Sequence, residues 1–443
     1  MNDTNHITNG EENKFSSPEY RRSRVAYVLY ALFDYFVGIL VADAFLAKLL
    51  SAMGFRDSEI GILASFISLA FVFQLFSLLL TKNRNSKKRM ILVLNTLGQM
   101  FFFALYVLPL IEIDLYLRRA LVYVFIIGAY MCKYLVSNFL FQWANGYVDP
   151  NKRGSYSATM EIVSLIGGII FSLSMGAIFN WFESQNNLMG GFFFLAIVIL
   201  ISNILVFISL TLIKREHTGN AVDSSSKKLS DIFKNTLGNK NFRHLLVIAV
   251  LWKSAEYFTL GFMGPFKTDT LGNGLALSVL FVQVISIASS LIRMPFTNIF
   301  GKYSDKHSFA SGFYLSLFIG AAAFLCNVFT TKETWFLVIA HTILYAVCAA
   351  GNGKNAQNMI YSYVDIDYIA EGMALQNCIS GVCGFLCSLV AGAILEAVQQ
   401  AGNMFFGIPM FGQQLLGLIS TFLCGICIIY MRVTILKEKV IKQ

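Results

Sequence analysis

The feature that most constrains this chain is a duplication. Residues 147–176 recur 216 positions later without a gap. Tyr147, Val148, Asp149, Ala158, Ser164, Gly168, Ser172, Leu173 and Gly176 fall on Tyr363, Val364, Asp365, Ala374, Ser380, Gly384, Ser388, Leu389 and Gly392. Nine identities in thirty positions is several times the chance expectation. A second echo stands at offset 222, where Asp34-Tyr35-Phe36 matches Glu256-Tyr257-Phe258. A fold made of two similar halves is therefore expected.

Those halves are strongly apolar. Hydrophobic residues make up 56% of the chain and charged residues 13%, far from the balance of a soluble domain. Lipid can solvate such a surface. Stretches close to the ~20 residues needed to cross a bilayer recur along the sequence. They are read at 24–50, 59–81, 90–110, 118–142, 157–181, 188–213, 243–266, 274–298, 309–329, 335–360, 374–397 and 413–435. Residues 1–19 are polar and lack an apolar core, so the first span is expected to direct insertion. The eight cysteines all fall in apolar stretches. Cys424-x-x-Cys427 has the spacing of a redox or zinc pair but no histidine or acid nearby, so packing thiols are expected.

A formal charge of +9 could suggest nucleic acid, but the charges follow the membrane instead. With the first residues placed inside, inner segments carry 24 of the 34 Lys and Arg, and outer loops carry five. That bias places both termini in the cytoplasm. Residues 1–23 then form an N-terminal tail, 24–213 a first six-helix bundle, and 214–242 a polar cytoplasmic linker. Residues 243–435 form a second bundle and 436–443 a closing tail. The fold class is an all-α polytopic membrane protein of twelve transmembrane helices in two pseudo-symmetric bundles.

Parallel six-helix halves resemble the major facilitator superfamily. The loops add to the likeness. Gly301-Lys302-Tyr303-Ser304-Asp305-Lys306 is similar to the Gly/Asp/basic loop the family carries after its eighth helix. Its counterpart at 81–89 keeps only the basic residues, and Asp149-Pro150-Asn151-Lys152-Arg153-Gly154 resembles the family's Pro/Arg-Gly element. The resemblance covers essentially the whole chain. It implies that Asp149, Arg153, Asp305 and Lys306 form a cytoplasmic gate; the plainer reading is that they are solvated topology charges.

Five basic residues remain inside apolar spans, Lys48, Lys133, Lys253, Arg293 and Lys354, together with Asp34, Asp43, Glu256 and Glu396. A charge at bilayer centre costs at least ~2.5–3.5 kcal/mol, so each needs a partner, water or the interface. Counting along the helices puts Asp34, Lys133, Lys253 and Glu256 near the midplane. Lys253 and Glu256, three apart, share a helix face. Asp43, Lys48 and Glu396 lie toward the outside and are expected to reach the interface. Asn138 and Gln142 share a face of the fourth span, and offset 216 carries them to Lys354 and Asn358 of the tenth. Asn355 lies in the same run, Gly351-Asn352-Gly353-Lys354-Asn355-Ala356-Gln357-Asn358, which is too polar for lipid. The resemblance implies that the first, fourth, seventh and tenth spans line a central cavity.

Asp34, then Glu256, are read as proton-coupling acids, because burial and a nearby ammonium move a carboxyl's proton affinity in opposite directions. The plainer reading is mutual neutralisation that holds the bundle together. Trp252, beside Lys253, either stacks on a solute or packs; His341 is expected to be a packed, hydrogen-bonded residue. Trp143, Trp181 and Trp335 near span ends suit interfacial belts. Gly168/Gly176 and Gly384/Gly392 are expected to let helices approach closely.

The resemblance and these charges imply a secondary active transporter, a proton-coupled symporter of a small polar organic solute, a sugar or an organic acid, by alternating access. The alternative is an exporter of amphipathic compounds or drugs. That alternative is weakened by the absence of a Gly-Pro element in 166–176. A non-transporting membrane sensor is the lower alternative. An enzyme is not expected: no P-loop, His-Glu-x-x-His or Ser/His/Asp cluster is visible. No cofactor or metal is expected, H⁺ being the coupling ion with Na⁺ as the alternative. The expected partners are a small-molecule substrate and the lipid bilayer, with no nucleic acid. A monomer in the plasma (inner) membrane is the expected form.

Overall fold

The computed structural model describes residues 15, 17–80, 87–148, 153–214, 237–363 and 369–436. The long helices are α1 (Pro18–Leu40), α6 (Lys87–Val107), α7 (Leu115–Asn145), α8 (Arg153–Ser184) and α9 (Leu188–Leu212). After the linker come α10 (Lys240–Thr259), α12 (Val279–Lys306), α13 (Phe309–Val328), α14 (Leu337–Tyr363), α15 (Ile369–Gln400) and α16 (Gly412–Val433). Shorter helices are α2 (Asp43–Ala52), α3 (Asp57–Ala64), α4 (Phe66–Leu69), α5 (Phe71–Leu80) and α11 (Met263–Thr268). One two-residue hairpin, Met404–Phe405 with Ile408–Pro409, joins α15 to α16.

Among the described residues, eleven helical stretches are long and apolar enough to cross a membrane. The span expected at 335–360 is present as α14 but is not among them. Its 27 residues reach ~40 Å at 1.5 Å per residue, ample for a ~30 Å core. The polar run 351–358 lowers its hydropathy.

Two expected spans are interrupted. The first, 24–50, breaks between α1 and α2, where Asp43 takes a φ of 40°, a conformation its short polar side chain tolerates. The second is three helices with breaks at Ser65 and Ala70. There the Ser65 hydroxyl donates to Gly61 O at 2.8 Å and Ser68 to Ser65 O at 2.7 Å. Hydroxyls bonded back to preceding carbonyls bend a helix. The eighth span also differs: α12 starts later than 274 and runs on through Lys306, so the Gly301–Lys306 loop is helical.

The chain forms two compact units, Met1–Phe45 with Phe76–Asp223, and Leu46–Leu75 with Ser224–Gln443. In the first, Tyr27, Tyr30, Val136, Phe139, Leu140, Trp143, Val206 and Leu210 form a core. Trp143, expected at the interface, is 3% exposed, and its indole N–H donates to Lys214 O at 3.1 Å. In the second, Trp252, Phe313, Leu317, Phe324, Cys348, Cys424 and Cys427 pack together. The Cys424 thiol donates to Leu317 O at 3.2 Å, which suits a packing role.

The duplication shows in the packing of each unit. A Cβ on Gly168 would meet the Tyr35 ring at 2.3 Å, and a Cβ on Gly384 would meet the Tyr257 ring at 2.7 Å. Gly168 and Gly384 match at offset 216, Tyr35 and Tyr257 at offset 222. Each glycine thus makes room for the tyrosine that follows its unit's acid. In the second unit, α3 lies against α15, where Arg56 forms an ion pair with Glu396 and Gln399 donates to Asp57 at 2.9 Å. Glu396 therefore finds a protein partner rather than only the interface.

Candidate functional site

Asp34 stands sixteen residues beyond the first residue of α1, and Glu256 sixteen beyond the first residue of α10. At 1.5 Å per residue that is ~24 Å along each helix. The two acids thus hold equivalent places, one in each unit.

In the first unit, Lys133 Nζ on α7 lies 2.9 Å from Asp34 Oδ1 and 3.1 Å from Oδ2. The side chains are 21% and 23% exposed, so the pair is largely shielded while keeping an edge open. Gln99 on α6 donates its amide to Asp34 Oδ1 at 2.6 Å. Lys133 also lies over the Phe102 ring, 5.8 Å from its centroid. The close approach of α6 and α7 needs Gly98, because a Cβ there would sit 3.1 Å from Ala129 O and 3.3 Å from Lys133 Cγ. The carboxylate is thus held by a cation and an amide on two other helices. Such an arrangement can neutralise the acid or release it when one partner moves away.

In the second unit, Lys253 Nζ lies 2.6 Å from Glu256 Oε2, and the Tyr345 hydroxyl of α14 donates to Oε1. Glu256 is 9% exposed. Lys253 also stacks over Tyr257, 5.6 Å from its centroid. This carboxylate, too, has a cation and a neutral donor.

The sequence paired Lys253 with Glu256 and put Asp34 and Lys133 near one depth without pairing them, and it missed Gln99, Gly98 and Tyr345. Asn95 and Gln99, four apart in an apolar span, are the signal that could have found the amide. A tyrosine in an apolar helix is too common to stand out.

The other expected residues fall in varied settings. Trp252 is 6% exposed and packs against Phe324, with ring centroids 6.1 Å apart. Beside it, a cavity of about 90 Å³ is lined by Lys253, Gln376, Asn377 and Ser380. Asn355 is 3% exposed and turns back to donate to Gly351 O at 2.7 Å on its own helix. Asn358 is half-buried on α14. Asn138 and Gln142 lie on α7 and Lys354 on α14, but their side chains fall outside the described set, as does that of Arg153, the first residue of α8. Asp149 lies outside the described residues. Asp305 and Lys306 are exposed on the last turn of α12. His341 is 3% exposed, with Nδ1 2.8 Å from Ala323 O, a packed histidine as expected.

A largely apolar, all-helical chain with shielded charges in equivalent places of two units is a polytopic membrane protein of the carrier type. A family model for the Major Facilitator Superfamily matches residues 25–388, and the chain belongs to that family of transporters. Solved structures share the fold. A D323A mutant of the nucleoside transporter NupG is 14% identical, with a TM-score of 0.70 over 93% of this chain and 99% of its own. An auto-inhibited POT family peptide transporter is 9% identical, with a TM-score of 0.69 over 96% and 98%. A bacterial homologue of the human lysosomal transporter Spinster is 14% identical, with a TM-score of 0.65 over 94% and 97%. No curated protein sequence matches the chain.

Proposed function

We propose that this transporter is a proton-coupled symporter of a small polar organic solute, a sugar or an organic acid, with Asp34 as the coupling acid. The observation that carries the reading is the shielded Asp34–Lys133 pair with its Gln99 donor. A purely structural pair gains nothing from an open edge, whereas a carboxylate that exchanges a proton needs one. Glu256, held by Lys253 and Tyr345, is the second acid and belongs to the solute-facing machinery. The bases and amides nearby suit hydroxyl-rich or anionic solutes. Nucleosides join the solutes worth testing, because NupG shares the fold and is a nucleoside transporter. The chain works by alternating access. It acts as a monomer in the plasma membrane with both termini cytoplasmic, an orientation supported by the basic inner segments.

The test is labelled-solute uptake into proteoliposomes under an imposed pH gradient, with sugars, organic acids and nucleosides tried in turn. Uptake driven by the pH gradient and lost in Asp34→Asn supports the reading. Uptake driven only by a Na⁺ gradient replaces the coupling ion. Efflux of amphipathic compounds that survives Lys133→Gln replaces symport with export.

A further inference from the structure

The first unit carries a groove apart from the Asp34 site, where the beginning of α1 meets the last residue of α9. It holds about 330 Å³ and is lined by Arg21, Arg22, Val25, Ala26, Leu29 and Leu212. The chemistry along it is graded. Arg21, Val25 and Leu29 follow one another at four-residue steps, so they share one face of α1. At 1.5 Å per residue, Val25 lies ~6 Å and Leu29 ~12 Å beyond Arg21 along the helix. Val25 is 54% exposed and Leu29 36%, so this apolar strip is open rather than part of the core.

Three cations close to the groove are engaged by the protein itself. Arg24 donates to Phe15 O at 2.8 Å and to Tyr147 O at 3.0 Å. Lys88 donates to Thr211 O at 2.8 Å, and Lys214 pairs with Glu19. Arg21 and Arg22 differ. Both are exposed, and neither guanidinium has a hydrogen bond or ion pair among the described residues.

Two unengaged guanidinium groups at the head of an open apolar strip are complementary to an amphiphile with an anionic head. Arginine holds phosphate through paired N–H donors, and basic pockets between membrane helices suit anionic lipid heads. The strip runs from the basic end of α1 toward its middle, the direction an acyl chain takes from its headgroup. A soluble anion would use the arginines and leave the strip bare. We propose that the groove binds one anionic phospholipid of the leaflet at the basic end of α1. Its phosphate sits on Arg21 and Arg22, and an acyl chain lies along Val25, Leu29 and Leu212. The lipid so placed bridges the helix that carries Asp34 to α9.

Native mass spectrometry of the delipidated full-length protein, titrated with dioleoylphosphatidylglycerol or dioleoylphosphatidylcholine, tests the site. The two lipids share their chains and differ in net charge. The first phosphatidylglycerol should bind at least tenfold more tightly than phosphatidylcholine and should raise the melting temperature. Arg21→Gln/Arg22→Gln should abolish that preference. Lys302→Gln/Arg432→Gln, which removes two exposed charges from the second unit, should keep it. Val25→Trp, which fills the strip and spares both arginines, should weaken phosphatidylglycerol binding at least fivefold. Equal losses in the two double variants would mean diffuse surface charge and overturn the site, as would equal affinity for the two lipids. Full affinity in Val25→Trp overturns the acyl-chain placement. If inorganic phosphate raises the melting temperature as much as the lipid does, the groove is a plain anion site and the lipid proposal fails. If phosphatidylglycerol binds only once residues 1–13 are removed, the occupant is that segment with its acids Asp3, Glu11 and Glu12, and the proposal fails as well.

Discussion

At the scale of single residues, the energetics of Asp34 and Lys133 are mutual. Replacing one partner leaves the other's charge shielded and alone, which costs ~3–5 kcal/mol for a fully buried pair. With each side chain a little over a fifth exposed, Lys133→Met should cost about 2–4 kcal/mol. Asp34→Asn/Lys133→Met, which removes both charges, should be more stable than Lys133→Met alone. Thermal unfolding of the purified protein in detergent checks the order, and a double variant less stable than Lys133→Met would contradict the pairing. These charges were legible in the sequence because an ion among apolar residues stands out without knowledge of its neighbours. Gln99 and Tyr345 were not. Their roles depend on which helices touch, and a neutral amide or phenol carries no signal of that. Asn355 shows the converse: its sequence context suggested a cavity wall, yet it folds back onto its own helix.

At the scale of helices, the paired glycines make a graded prediction. Tyr35 is 43% exposed and can swing away from a new methyl at position 168, whereas Tyr257 is 7% exposed and cannot. Gly384→Ala should therefore destabilise by ~1–3 kcal/mol, as overpacking does, and Gly168→Ala by clearly less. Gly425→Ala, with nothing within 4 Å of the added carbon, should be neutral or stabilising by up to ~1 kcal/mol. Melting temperatures of the three variants test the series, and equal losses at 384 and 425 would contradict it. Helix existence was readable from length and apolarity, while helix breaks were not. The turn at Asp43 and the bends at Ser65 and Ala70 follow from backbone conformation and hydroxyl bonds that leave no apolar interruption. Likewise Gly301–Lys306 reads as a polar loop yet continues α12, because a polar helix end can stay helical in water.

At the scale of the whole molecule, the duplication was the strongest signal. It appears in the structure as two acids equally far along their own helices, each next to a tyrosine seated over a matched glycine. What a carrier does with those acids defines its coupling. If Asp34 is the coupling acid and Glu256 belongs with the solute, their neutral variants should differ. Glu256→Gln should lower apparent solute affinity by about tenfold or more while leaving each transported solute accompanied by a proton. Uptake and proton flux measured together check this, and loss of proton flux with solute flux intact would exchange the two roles.

The most direct test of the central claim is proton movement in a weakly buffered suspension of right-side-out vesicles containing the protein. Sugars, organic acids and nucleosides are added one class at a time. The account predicts that one class alkalinises the medium and that Asp34→Asn abolishes the signal while still binding the solute. Alkalinisation of the same size in Asp34→Asn would contradict it.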